Sequence, residues 1–210
     1  MSDESRLAVK VCGITNRDDA ERATVLGADY LGTIFVPGTP RFITRAQAKE
    51  AFDFAPRPKI IGVFANAAVE EMRSAVDDLG LDGVQLHGDE PPEACAQLSP
   101  IRIKVFRVRD AQSLARVDDY ATEAVLCDTH QEGKLGGTGQ AFDHDLVATL
   151  ARRRRLFLSG GLNPDNVVAA AQRVRPHAVD VSSGVEAEPG RKDPEKLRNF
   201  FARLAEAGLR

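Results

Sequence analysis

Cysteine is scarce in this chain of 210 residues: Cys12, Cys95 and Cys127 are odd in number and form no CxxC pair. A disulfide framework, a zinc knuckle and a thioredoxin-type motif are therefore not expected, and a reducing cytoplasm fits best. Histidine is equally sparse, with His87, His130, His144 and His177 scattered along the chain, so no metal is expected. No apolar run approaches membrane-spanning length, and the opening MSDESRLAVK lacks the basic-then-apolar profile of a secretory leader. Neither membrane association nor export is expected. Excess charge of one sign is also missing. A formal net charge of −3 gives no general pull on nucleic acid or anionic lipid, so any anionic ligand must be met by local groups. No proline- or glycine-rich linker interrupts the chain, and with 43% hydrophobic residues one domain spanning residues 1–210 is the expectation.

What is there is alternation. Short β-rich runs, Ala8–Gly13, Tyr30–Val36, Lys59–Ala65, Gly83–His87, Ile103–Val108, Ala124–Asp128, Leu156–Gly160 and Ala178–Ser182, are separated by helix-like segments. Ala68, Met72, Ala75, Val76 and Leu79 recur at helical spacing and Gly80 supplies a stop. Asn163-Pro164 and Asp193-Pro194 read as N-caps followed by a first-turn proline. Eight strands and eight helices in strict alternation point to an α/β chain closed as a (β/α)8 TIM barrel. An open doubly wound sheet is the competitor. The run Arg152–Arg155 closes a helix and reads as a solvated face opposing the helix dipole.

In such a barrel the strand C-termini and the loops after them build the active site. Strand alternation places Cys12 on one face with Lys10, and Val9 and Val11 on the other. Gln85 and His87 share a face that would line the barrel mouth. Asp128 is assigned inward, which leaves Cys127, like Cys95, as a buried hydrophobe. Asp180 alternates inward between Val179 and Val181. Basic residues occur in both alternation classes of the fifth strand, IRIKVFRV, which leaves it ambiguous. Three glycine-rich stretches, GGTG (Gly136–Gly139), SGG (Ser159–Gly161) and SSG (Ser182–Gly184), follow strands six, seven and eight. Their backbone N–H groups can approach an anion closely, which favours phosphate. GGTGQ matches neither a Walker loop nor GxGxxG.

KVCGIT, GTIFVPGTPRFIT, GVFAN, VQLHGDE, LCDT with GGTGQAFD, SGGLNPDNV and VDVSSGVEAEPGRKD occur in the order of the phosphoribosylanthranilate isomerases, which the chain resembles from Lys10 to about Phe201. The resemblance implies a cofactor-free Amadori rearrangement of a small phosphosugar in tryptophan biosynthesis. It implies Cys12 as general base, Asp128 as general acid and Arg41 as the partner of the anthranilate carboxylate; the inward alternation of Gln85, His87 and Asp180 adds them as expected substrate contacts. The expected phosphate-binding residues are Gly137, Thr138, Gly139, Gly160, Gly161, Ser182, Ser183 and Gly184. Thr39, Thr33 and Ser159 depart from the family's usual Ser, Phe and Ala. The oligomeric state is left as monomer or homodimer.

The chemistry needs one acid and one base about the sugar, which predicts a bell-shaped pH dependence. A free thiol titrates near ~8.5 and a free Asp near ~3.9, so each would need a shift. Lys10 is expected to favour the Cys12 thiolate, and Asp128 to need apolar walls or a negative neighbour. Arg41→Lys is expected to weaken binding more than turnover, because lysine lacks the planar fork. A metal-dependent epimerase would need more His and Asp ligands at strand ends. A bifunctional isomerase would carry aspartate in place of Cys12. A phosphate-binding module without chemistry would not need the Cys12/Asp128 pair.

Overall fold

The computed structural model describes residues 6–98, 101–128 and 144–210. Eight parallel strands close into a barrel in sequence order: β1 (Ala8–Cys12), β2 (Tyr30–Ile34), β3 (Lys59–Phe64), β4 (Gly83–Leu86), β5 (Ile101–Arg107), β6 (Ala124–Asp128), β7 (Leu156–Ser159) and β8 (Ala178–Val181). All eight lie within about two residues of the expected runs, because β-branched and small apolar residues bounded by polar or glycine-bearing loops leave little choice of register.

Around the barrel run α1 (Arg17–Val25), α2 (Arg45–Ala51), α3 (Val69–Leu79), α4 (Pro92–Ala96), α5 (His144–Ala151), α6 (Val167–Val174) and α7 (Pro194–Glu206). Their ends follow local chemistry. Asn16 and Asp193 accept backbone N–H groups at the starts of α1 and α7, and Thr44 forms a capping box with Gln47. Gly80 ends α3 in the left-handed region at φ 59°.

Two expectations need correction. The β5–β6 crossover holds no α-helix, only two 3-10 turns at Ala111–Leu114 and Val117–Asp119. Asp110 opens the first in a capping box with Ser113, while the second starts after Arg116 with no side-chain cap, and neither runs beyond a single short turn. Asn163 does not cap α6; its side chain accepts the N–H groups of Asp165 and Asn166 in a turn ahead of the helix. The arginine run is also less solvated than expected. Arg154 donates to the carbonyls of Val117, Tyr120 and Thr122 and so secures that helix-free crossover, while Arg153 pairs with Asp118.

Strand alternation divides the core in two. Val9, Val11, Val125, Cys127 and Val179 face the surrounding helices, and Tyr30, Ile61, Ile103, Leu126 and Phe157 fill the barrel interior. The rings of Tyr30 and Phe157 meet edge to face at 5.2 Å. At the strand N-termini an acid placed one residue before an even strand satisfies the N–H of the preceding strand. Asp29 accepts from Val9, Asp82 from Ile60 and Glu123 from Arg102, each at 2.8 Å, and each also meets an arginine. Asp29→Ala strips Arg6 and Arg210 of their partner as well. It is expected to cost about 1–3 kcal/mol in urea unfolding, with kcat unchanged. This end of the barrel serves stability and leaves the other end free for chemistry.

Candidate active site

Inward-facing residues at the C-terminal ends of the strands form a polar belt. In register, Cys12 lies beside Gly32, Lys10 beside Asp180, and Asp128 beside Ser159. Lys10 and Asp180 form a buried ion pair at 2.8 Å, and the Ser159 hydroxyl reaches the other Asp180 oxygen at 3.4 Å. The belt therefore runs from Asp128 on β6, over β7 and β8, to Cys12 on β1. Above it opens a cavity of about 270 Å³ whose lining includes Cys12, Arg41, Gln85, His87, Asp128, Gly160, Gly161, Asp180, Ser182 and Ser183, with Ile34, Val63 and Leu162 as apolar wall.

Most of the expected site residues are thus brought together. Gly184 is placed differently: a Cβ there would come 1.9 Å from the Leu162 carbonyl oxygen, so this glycine serves the close packing of the loop after β8 on the loop after β7. Gly137, Thr138 and Gly139 lie outside the described residues. Gly160 and Gly161 take φ of 107° and 66°, a turn that side chains resist. Of the two departures from the family pattern within the barrel, Thr33 alternates outward and does not line the cavity, whereas Ser159 does.

The Cys12 thiol does not follow the expected electrostatics. Burial pushes it up; the Lys10 ammonium opposes this, and the Asp180 carboxylate adds to it, with a net rise. The charge of Lys10 is shared with its ion-pair partner and is not available to the thiol alone. Gly32 makes the contact possible, since a Cβ there would meet Cys12 Sγ at 2.8 Å and Lys10 Nζ at 3.1 Å. Gly32→Ala is expected to lower kcat by about tenfold or more by turning the thiol aside, with the fold retained by circular dichroism.

On β4, Gln85 Nε2 lies 3.2 Å from His87 Nδ1. Burial lowers the His87 pKa, more than Asp128 raises it, so the imidazole is neutral at physiological pH. The Gln85 Oε1 and Ser182 Oγ atoms are buried without a hydrogen-bond partner among the described residues, and both side chains line the cavity. Unpaired polar atoms of this kind suit a polar ligand.

Several supporting residues were not singled out from the sequence. Lys104, on the ambiguous fifth strand, faces outward. Its ammonium donates to the Leu86 and Gly88 carbonyls on either side of His87 and pairs with Glu90 at 2.8 Å. Glu90 in turn accepts the N–H groups of Asn66 and Gly88. The outward register of this strand also holds Arg102, so nothing in the alternation singled out Lys104 as the buried cation. Glu186 and Lys192 were missed because their partners are remote in sequence. Arg41, expected to offer its fork to a ligand, already gives Nε and Nη2 to Glu186 at 2.8 and 2.6 Å. Among the described residues no three His, Cys, Asp or Glu side chains gather as metal ligands.

The family model described as N-(5'phosphoribosyl)anthranilate (PRA) isomerase matches residues 9–203. The chain belongs to the phosphoribosylanthranilate isomerase family. A relative from Citrifermentans bemidjiense with that name is 45% identical over 96% of this chain and 98% of its own length. The solved phosphoribosylanthranilate isomerase of Thermotoga maritima shares 38% identity at a TM-score of 0.87, covering 95% of this chain and 99% of that one. A further solved isomerase, in complex with reduced 1-(o-carboxyphenylamino)-1-deoxyribulose 5-phosphate, is 37% identical at a TM-score of 0.85 with the same coverage. The closed eight-stranded barrel of this chain is thus shared with solved members of that family.

Proposed function

We propose that Cys12 is the general base and Asp128 the general acid with which this isomerase converts N-(5'-phosphoribosyl)anthranilate into 1-(2-carboxyphenylamino)-1-deoxyribulose 5-phosphate. The observation that carries the assignment is that both side chains line one cavity, from strands three apart around the closed barrel. Asp128 gives its proton to the ring oxygen while the bond from that oxygen to the anomeric carbon breaks and the nitrogen lone pair forms an iminium. The Cys12 thiolate then takes the proton from the neighbouring carbon, and those electrons neutralise the iminium to an enolamine. Tautomerisation to the ketone returns a proton to the former anomeric carbon.

The remaining groups supply binding. Gly160, Gly161, Ser182 and Ser183 form the glycine- and hydroxyl-rich edge suited to the phosphate, with the Gly137–Gly139 stretch as a further candidate. Arg41 suits the anthranilate carboxylate. Its Nε edge is engaged, so the end-on Nη edge is the one offered. Gln85, His87 and Asp180 suit the ribose hydroxyls.

Burial raises the thiol, and the reaction needs a thiolate on Cys12 and a proton on Asp128 together, so kcat/KM is expected to follow a bell-shaped pH dependence. The loss of anthranilate-type fluorescence on adding phosphoribosylanthranilate tests the assignment. No turnover by the purified protein would refute it. The same reading has the chain working as one barrel domain in the cytoplasm, consistent with three unpaired cysteines, as a monomer or homodimer. A solved relative from Thermotoga maritima is described as monomers generated from a dimeric isomerase.

A further inference from the structure

The segment after β8 folds into a small antiparallel hairpin of β9 (Glu186–Glu188) and β10 (Arg191–Lys192), outside the barrel proper. Two of its side chains turn inward and are almost fully buried, Glu186 and Lys192. Lys192 Nζ donates to the Cys12 carbonyl at 2.6 Å, to the Ser182 carbonyl at 3.3 Å and to Glu186 Oε1 at 2.9 Å. The backbone N–H of Lys192 is held by Asp19 at 2.8 Å. The hairpin is thereby fastened beneath the loops that carry Cys12 and Ser182. Lys196 also donates to the Glu186 carbonyl at 2.8 Å, which fixes the strand from the α7 side.

Glu186 is the link from this anchor to Arg41. Its carboxylate accepts Arg41 Nε at 2.8 and 3.1 Å and Nη2 at 2.6 Å, which occupies the whole side-on edge of the guanidinium. The stem of Arg41 is confined as well: a Cβ on Gly13 would lie 2.7 Å from Arg41 Cδ, so the chain crosses directly over the residue after Cys12. Arg41 comes from the loop after β2 and would otherwise be a long, partly exposed side chain with many rotamers. Held at stem and edge, it has one orientation, with the end-on nitrogen edge left for a ligand.

We propose that Glu186 is a positioning residue for substrate recognition, pre-orienting Arg41 toward the substrate carboxylate. The proposal rests on the reading of Arg41 given above. Lys192 completes the device. It keeps Glu186 ionised and in place, and its bond to the Cys12 carbonyl ties the carboxylate-binding group to the backbone of the base. Fixing a flexible arginine in advance removes an ordering cost from the binding step, which shows in KM and not in kcat.

The test is a pair of single variants and their combination, assayed with phosphoribosylanthranilate and with its analogue lacking the carboxylate, N-phosphoribosylaniline. Glu186→Gln is expected to raise KM about tenfold with kcat within about threefold. The rise is expected to vanish for the aniline analogue and in an Arg41→Met background. If Glu186→Gln does not fold, judged by thermal unfolding, Glu186→Asp keeps the charge that Lys192 needs while withdrawing from Arg41, and the same pattern is expected. An unchanged or lowered KM in a folded variant overturns the proposal, as does an equal loss with the analogue or in the Arg41→Met background. If Arg41→Met itself leaves KM unchanged, the reading of Arg41 fails and the inference with it. If Arg41→Met raises KM and Glu186→Gln does not, only the inference fails.

Discussion

Cys12→Ser and Asp128→Asn are each expected to lower kcat by about 10²–10⁴-fold while binding of a product analogue stays within a few fold. The size follows from what each group does. Serine keeps the shape of Cys12, but its hydroxyl ionises far less readily than a thiol and cannot serve as base where burial already disfavours the anion. Asparagine fills the place of Asp128 beside Ser159 and has no proton of comparable acidity for the ring oxygen. Neither change empties the core, since both side chains face the cavity. Steady-state kinetics with a fluorescence titration of the analogue separate turnover from binding. Retention of more than about a tenth of wild-type kcat by either variant would remove that residue from the mechanism.

The second large effect concerns Lys10 and Asp180. Lys10→Met leaves the Asp180 carboxylate in an interior site without its cation, and the loss of one partner of a buried pair is expected to cost about 3–5 kcal/mol, read by urea unfolding. The pair's sign is clear. Burial works against the Lys10 ammonium, but Asp180 and Cys12 outweigh it and hold its pKa above the ordinary lysine value. Its contribution to stability is therefore complete at neutral pH and is lost only as pH rises through that elevated value.

Lys10→Met and Asp180→Asn are expected to move the activity profile in opposite directions. The charged groups near the thiol are Lys10 on β1, Asp180 on β8, Lys192 on the hairpin and Arg41 from the loop after β2. Lys10→Met removes a cation, so the limb of the kcat/KM profile set by the thiol should shift to higher pH. Asp180→Asn removes the carboxylate that opposes the thiolate, so that limb should shift to lower pH. Equal shifts, or none, would mean that the pair holds the barrel together without tuning the base.

Much of this was legible in the chain. Alternation alone separated Lys10 and Cys12 from Val9 and Val11, and it set Asp128 and Cys127 on opposite faces, the inward one being assigned to the carboxylate. The strand ends were readable for the same reason. What was not legible depends on partners far apart in sequence. Nothing local in Glu186 or Lys192 announces Arg41 or the Cys12 carbonyl, and the expectation that Lys10 frees the thiolate overlooked Asp180, in register across β1 and β8. The missing helix between β5 and β6 failed on local grounds: only the first of its two short turns has a side-chain cap, at Asp110.

The decisive measurement is kcat/KM for the wild type and Asp180→Asn from about pH 6 to about pH 10, spanning the range in which thiols titrate. If a buried thiol is the base, the wild-type curve carries a limb set by that thiol, and Asp180→Asn moves this limb to lower pH. A profile whose limbs are unmoved in Asp180→Asn, or one that Cys12→Ser reproduces at full rate, would contradict it.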